Sequence, residues 1–247
     1  MEIVAPGAWE LVKDLLAAWN PKAYFHAWKL PDGYDARVKV MQSKEIRIEV
    51  DELNHATFTY EFEVNEPTEH GLSLVANVVH SLDAYVLNSV QRRCNYSPTV
   101  VKEANGLLKV SLGVHAHALA KGKCTEAFDY YLEQYQRSGM VDVTILPHLS
   151  LMNVSYLSTA HREALLRITT DQLKHKPFEV ITVHDAYATL ANNSNWLRWH
   201  YKEIMADLAD SNVLDDILSQ LFGRKGTFGK LHANLGSLIR LSNYGLS

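Results

Sequence analysis

Two adjacent residues, His184 and Asp185, stand between the apolar run Phe178–Val183 and a second run, Ala186–Leu190. The first run predicts a strand and the second its antiparallel return. A carboxylate at such a tight connection is held rigidly with its oxygens facing outward. That arrangement suits Mg²⁺, which keeps several waters and takes one or two protein carboxylates plus substrate phosphates. Alone, the dipeptide reads as a polar turn. His115, His117 and Cys124, with His148 further on, are also metal-ligating types. Their His-x-His-x₆-Cys spacing matches no zinc pattern and offers no evident fourth ligand. A basic, glycine-rich loop from Gly223 to Gly229 carries Arg224 and Lys225, with Lys230 just beyond. A solvated loop is its default reading, and contact with phosphates is the functional one.

The elements that must position these residues follow from periodicity. Ala8 to Trp19 reads as a helix ended by Asn20-Pro21. Tyr24–Leu30 and Tyr34–Met41 flank Pro31-Asp32-Gly33, which predicts a hairpin. Ile46, Ile48 and Val50, then Phe58, Tyr60, Phe62 and Val64, alternate with polar residues and predict a second, half-buried hairpin. From Thr68 to about Arg93 the period becomes helical, with Val75, Val78, Val79, Leu82, Val86 and Val90 on one stripe. His80 and Asp83 fall on another face. Several short helices are expected between Pro98 and Lys176. Thr125–Ser138, capped by Thr125 and stopped by Gly139, is the clearest, and Ser158–His175 is another. An amphipathic helix over Asn193–Ala209, a short helix over Val213–Phe222 and a helical turn in the tail complete the chain. Trp196, Trp199 and Tyr201 read as packing residues of the first of these, with base stacking as the alternative.

Val183-His184-Asp185-Ala186-Tyr187 resembles motif C in the palm of phage-type and mitochondrial single-subunit DNA-directed RNA polymerases. Three further blocks follow the family's order. Asn77-Val-Val-His80-Ser81-Leu82-Asp83-Ala84 resembles its Asn-x-x-His-Ser-x-Asp-Gly segment. Trp28-x-x-Pro31-Asp32-Gly33-Tyr34 resembles the hairpin before that segment. The tail, Leu238-Ile239 to Tyr244-Gly245-Leu246-Ser247, resembles the family's apolar C-terminus. The resemblance spans Trp28–Leu87 and Pro177–Ser247. It implies an α/β (α+β type) fold: a single palm-like module over residues 1–247, with antiparallel hairpins carrying motif C, many surrounding helices, and a helical insertion at about 94–176. It also implies two-metal nucleotidyl transfer, in which divalent ions activate the RNA 3′ oxygen and stabilise pyrophosphate. In that reading Asp185 binds Mg²⁺ and His184 positions the turn near the primer end. His80, Asn77, Ser81, Tyr187, Arg224 and Lys225 contact nucleic acid. The cofactor is a pair of Mg²⁺ ions, one protein ligand coming from this chain.

The chain departs from the family in informative ways. Ala84 replaces a glycine, and Ala76 a proline found in some relatives. The second metal-binding Asp of motif A and the Arg/Lys/Tyr helix of motif B are not found. Asp142 and Asp171 lack the context and follow the His80 block, which is the wrong order. The expectation is therefore one subunit of a split phage enzyme, a heterodimer whose partner carries motifs A and B, acting on DNA template, nascent RNA and NTPs. A non-catalytic palm-like subunit that clamps nucleic acid or a partner is the alternative. A nuclease is weaker, for want of clustered carboxylates.

Composition sets the outer bounds. The 247 residues carry a net charge of −4 and are 47% hydrophobic, which excludes disorder and a wholly basic nucleic-acid coat. No apolar run reaches the roughly 20 residues of a membrane span, and the start reads as no signal peptide. Two cysteines are too few for a disulfide scaffold, so a reducing, cytoplasmic setting is expected, that of the host cell if the chain is viral.

Overall fold

The computed structural model describes residues 6–67, 71–113, 122–183, 186–224, 229–230 and 232–243. Among these the chain is mixed α/β, mainly helical, with three antiparallel hairpins that form separate two-stranded sheets. The order is α1 (Pro6–Ala17), β1 (Phe25–Lys29), β2 (Asp35–Lys39), β3 (Met41–Val50), β4 (Ala56–Pro67), α2 (Leu72–Cys94), α3 (Pro98–Gly113), α4 (Glu126–Ser138), α5 (Thr159–Gln172), β5 (Ile181–Val183), β6 (Ala186–Ala188), α6 (Ser194–Asp210), α7 (Val213–Phe222) and α8 (Leu235–Leu241). No helix among the described residues is long and apolar enough to cross a membrane.

Two apolar clusters organise these elements. The first gathers Leu15, Trp28, Leu30, Leu74, Tyr85, Phe178, Ile204 and Ile217, from α1, the β1–β2 hairpin, α2, the approach to β5, α6 and α7. The second gathers Leu108, Phe128, Tyr135, Ile145, Val154 and Leu165, from α3, α4, α5 and the 3₁₀ turns Val143–His148 and Val154–Tyr156. Most of the chain between Cys94 and Phe178 builds the second cluster, though Met140 returns to the first, and the Phe178 N–H donates to the Cys94 carbonyl at 3.1 Å. Gln172 closes the same neck by donating from Nε2 to the Arg93 carbonyl at 3.2 Å.

Local chemistry explains the boundaries. The Thr125 side chain accepts from the Phe128 N–H, and Gly139 ends α4 in the left-handed region at φ 67°. In the turn before β2, Asp32 Oδ1 accepts the Tyr34 N–H at 3.1 Å, an Asx turn. Gly33 sits there at φ +87°, and a Cβ on it would meet the Tyr130 ring at 2.6 Å. Tyr130 of α4 donates its hydroxyl to the Gly33 carbonyl at 2.9 Å, so the turn is shaped to receive the second cluster's helix. Helix α2 runs unbroken through Ala84, a position that a helix fills with alanine at no cost.

Two expectations need correcting. The buried face of α2 is wider than the expected stripe: Val78, Val86 and Val90 are buried and Val75 and Leu82 half-buried as expected, but Val79 is exposed and Leu74, Ser81, Tyr85 and Arg93 are buried as well. A hydrogen bond from Trp28 and an ion pair with Asp207 let Ser81 and Arg93 face inward. The second hairpin is not half buried. Both faces of β3 and most of β4 are open to water, because no other layer packs on this ribbon among the described residues.

One join between the two clusters is ionic. Arg92 of α2 donates from Nη2 to Asp32 and to Asp142, each at 3.1 Å, and both carboxylates are buried. Ser89 adds a 3.0 Å bond to Asp142, and the Thr144 N–H another at 3.0 Å. Burial opposes ionisation of Asp142, but Arg92 and these bonds outweigh it and hold the group below the usual carboxylate range. At Asp32 burial wins over Arg92 and the carboxyl lies above its ordinary value. Removing the guanidinium leaves two buried carboxylates uncompensated. Arg92→Leu is expected to lower the unfolding free energy by about 3 kcal/mol or more, read as a shifted midpoint in urea denaturation.

Candidate functional site

β5 and β6 pair as Ile181↔Ala188, Thr182↔Tyr187 and Val183↔Ala186. The residues joining them are His184 and Asp185, which lie outside the described residues. Around that connection the alternation is plain. Ile181, Val183, Ala186 and Ala188 face water, while Thr182 and Tyr187 turn inward and are half buried. Just before β5, Phe178 and Val180 are buried in the first cluster, which anchors the hairpin from below.

Tyr187 meets the ring of Tyr201 from α6, centroids 5.5 Å apart. Burial, followed by the negative charge of Asp83, raises the pKa of the Tyr201 phenol. Asp83 belongs to the exposed face of α2 that also carries His80 and Asn77. Through Tyr201, the hairpin and the Asn77–Ala84 block therefore share one side of the molecule. Sequence spacing could not have named Tyr201 as their link, because it lies on a third element.

The predicted contacts divide. His80 and Asn77 are exposed, and Asn77 uses its Nδ2 on the Ser73 carbonyl at 2.8 Å. Ser81 is a correction. It is buried, its hydroxyl donates to the Val78 carbonyl at 2.8 Å, and it accepts the Trp28 indole N–H at 3.0 Å. It thus joins two of the sequence blocks internally rather than facing a ligand. Arg224 is exposed, its guanidinium 5.6 Å from the centre of the Phe222 ring, and Lys225 lies outside the described residues. Lys230 donates to the Ala209 and Asp210 carbonyls at 3.0 and 2.7 Å, which ties it to the C-terminus of α6.

The tail is fixed on α6 by charge. Arg240 of α8 pairs with Glu203 at 3.3 Å, Asp207 at 2.7 Å and Asp210 at 2.9 Å. Arg167 of α5 also reaches Glu203 and Asp207. Lys202 donates to the Arg240 and Ser242 carbonyls, and Arg198 to that of Asn243. Tyr244–Ser247 lie outside the described residues.

Asp142 and Asp171, weighed as second carboxylates, are both engaged in structure. Asp142 holds Arg92, and Asp171 takes Lys174 at 2.6 Å and the Trp199 indole at 3.2 Å. Trp196 lies against the His175 ring, centroids 5.1 Å apart, and Tyr201 against Tyr187, so these two pack inside, whereas Trp199 is 40% exposed. Of the His/Cys group, His115 and His117 lie outside the described residues. His148 stacks on Tyr131. Burial, then the Asp129 charge and hydrogen bond, raise the Cys124 thiol, which favours the protonated form over a metal-binding thiolate. Glu49, Asp51 and His55 bring ligand atoms within 4.8 Å of one another at the far end of the β3–β4 ribbon. All three are exposed, a common arrangement of acidic groups that needs no ion.

Sequence reading missed the pair His175–His200, whose Nε2 atoms are 2.8 Å apart. The Lys176 carbonyl, 2.8 Å from His175 Nδ1, can only accept, so neutral His175 carries its proton on Nδ1 and accepts at Nε2 from His200. Burial, then Arg93 and His175, push the His200 imidazole down to about 3. No protein-family model matches the chain, and no curated protein matches it.

The histidine pair makes stability depend on pH. An unfolded imidazole titrates near 6.5, whereas folded His200 takes its proton only near 3. Between these values the unfolded chain binds more protons, so stability is whole above 6.5 and declines as pH falls toward 3. The expected slope is about 1 kcal/mol per pH unit. Urea midpoints at pH 7, 6 and 5 will show the decline, and His200→Gln will reduce it, leaving the share of His26, His161 and His175, whose imidazoles burial also lowers.

Proposed function

We propose that this chain is one subunit of a DNA-directed RNA polymerase of the phage type. Its palm-like module supplies the His184-Asp185 connection to a two-metal active site, and a partner chain completes that site with the second carboxylate and the triphosphate-binding helix. The observation that carries the reading is the arrangement around β5 and β6. Pairing of Val183 with Ala186 leaves His184 and Asp185 as the whole connection between two antiparallel strands. The aromatic two residues after Asp185 points inward onto α6, which also adjoins the α2 face bearing His80. Four ordered sequence blocks fall on elements that meet: Trp28 bonds Ser81, Tyr187 meets Tyr201, and the tail helix lies along α6.

The roles follow from chemistry. Asp185 binds Mg²⁺, which polarises the attacking and departing oxygens during phosphoryl transfer. His184 sits beside it and orients the turn. His80 and Asn77, on the open face of α2, offer donors and acceptors to the minor-groove side of a new base pair, where the helix is read by shape. Tyr187 braces the hairpin. Arg224 is free of buried partners and suits a phosphate contact, with Lys225 next in the chain. The water-facing Ile181 and Val183 offer an apolar face to a strand from the partner.

The test is template-directed NTP incorporation. The chain alone is expected to be inactive, and the complex isolated from its native source active with Mg²⁺. In that complex Asp185→Ala should lower incorporation by about a hundredfold or more, with assembly intact by gel filtration. Synthesis by the chain alone, or an undiminished Asp185→Ala complex, overturns the reading.

A further inference from the structure

We infer that Tyr201 of α6 is a positioning residue for the proposed metal site: through Tyr187 it sets where the β5–β6 hairpin stands. The inference rests on the polymerase reading and adds to it a residue outside every sequence block that supports it. Three residue pairs join β5 to β6, and a two-stranded hairpin does not hold its own position in water. Its base is tied down. Phe178 and Val180 are buried in the first cluster, and the Thr189 hydroxyl donates across to the Glu179 carbonyl at 2.9 Å. Beyond the base, Ile181 and Val183 are 65% and 62% exposed, and Ala186 and Ala188 also face water. Among the paired residues only Thr182 and Tyr187, opposite each other, turn inward. Of these two, Tyr187 is the nearer to Asp185, two residues away or about 7 Å along a strand. Where its ring is held, the connection is held.

Tyr201 comes from an element able to fix that ring. The two rings lie 5.5 Å apart with their planes inclined at 56°. A tilted aromatic pair has a preferred geometry, whereas an aliphatic contact is non-directional. Leu197 and Ile204, four residues before Tyr201 and three after, are buried in the first cluster, so Tyr201 shares the inward side of α6. The helix is itself clamped, with Glu203 and Asp207 held by Arg167 and Arg240 and Asp207 also by Arg93. Asp83 of α2 acts on the same phenol, which burial and that charge keep protonated. Tyr201 thus relates the hairpin to the α2 face that carries His80. A support of this kind governs metal affinity more than folding, because a ligand left loosely held binds its ion poorly.

The test is the Mg²⁺ dependence of templated incorporation by the assembled complex carrying variants of this chain. Tyr201→Leu should raise the Mg²⁺ concentration for half-maximal rate by about tenfold. Tyr201→Phe, which keeps the ring, should restore the wild-type requirement. Ile217→Val in α7 loosens the same apolar cluster and should leave the requirement unmoved, which separates positioning from stability. Hydrogen exchange of the β5–β6 amides in the same complexes should quicken about tenfold in Tyr201→Leu alone. A normal Mg²⁺ requirement in Tyr201→Leu, an equal rise in Ile217→Val, a Tyr201→Phe complex that behaves like the leucine variant, or unchanged exchange each overturns the inference. An Asp185→Ala complex as active as the wild type removes the polymerase reading and this inference with it. An inactive Asp185→Ala complex beside a normal Tyr201→Leu complex removes this inference alone.

Discussion

The structure turns on one guanidinium. Arg92 stands near the end of α2 and holds Asp32, in the turn of the first hairpin, and Asp142, in the segment between α4 and α5. Both carboxyl groups are largely buried, and the shared guanidinium holds the two segments to α2 by electrostatics as much as by packing. The contacts around it reinforce the join: Tyr130 on Gly33, Trp28 on Ser81, and Phe178 on Cys94. The stretch between α2 and β5 mostly builds the second cluster and ends beside the end of α2, where Phe178 bonds Cys94. β5 therefore starts from a fixed base.

A second ionic knot works at the other end. Glu203 and Asp207 of α6 are shared by Arg167 from α5 and Arg240 from the tail, and Arg93 reaches Asp207 from α2. Helix α6 is thus the place where α5, the tail helix and the support of the β5–β6 hairpin meet. Its Tyr201 lies on one side against Tyr187, its acidic residues on another, and its His200 is locked to His175 behind the hairpin. The proposed chemistry is carried on a strand connection, and the charges that place it sit one layer away.

Much of this was legible in the sequence because local rules decide it. Thr125 and Gly139 delimit α4, Pro31-Asp32-Gly33 makes its turn, and the apolar run Phe178–Val183 marks a strand. What was not legible depends on distant partners. The burial of Ser81 and Arg93 on α2 follows from Trp28 and Asp207, far away in the chain. The openness of β3–β4 follows from the lack of a covering layer among the described residues, while its alternating pattern resembles that of any half-buried hairpin. Tyr201 and the His175–His200 pair are assembled by tertiary packing alone. The segments that carry the family resemblance could be read in order, whereas their meeting on one side of the molecule required the fold.

The central claim is that Asp185 holds a catalytic divalent ion in an assembled enzyme. The most direct measurement replaces Mg²⁺ by Fe²⁺ in the native complex and maps peptide cleavage by locally generated hydroxyl radicals. The account predicts cuts in this chain beside His184 and Asp185, matched by cuts in the partner, both suppressed by excess Mg²⁺ and lost in Asp185→Asn. Cleavage confined to the Glu49–His55 end of the ribbon, or none near Asp185, would contradict it.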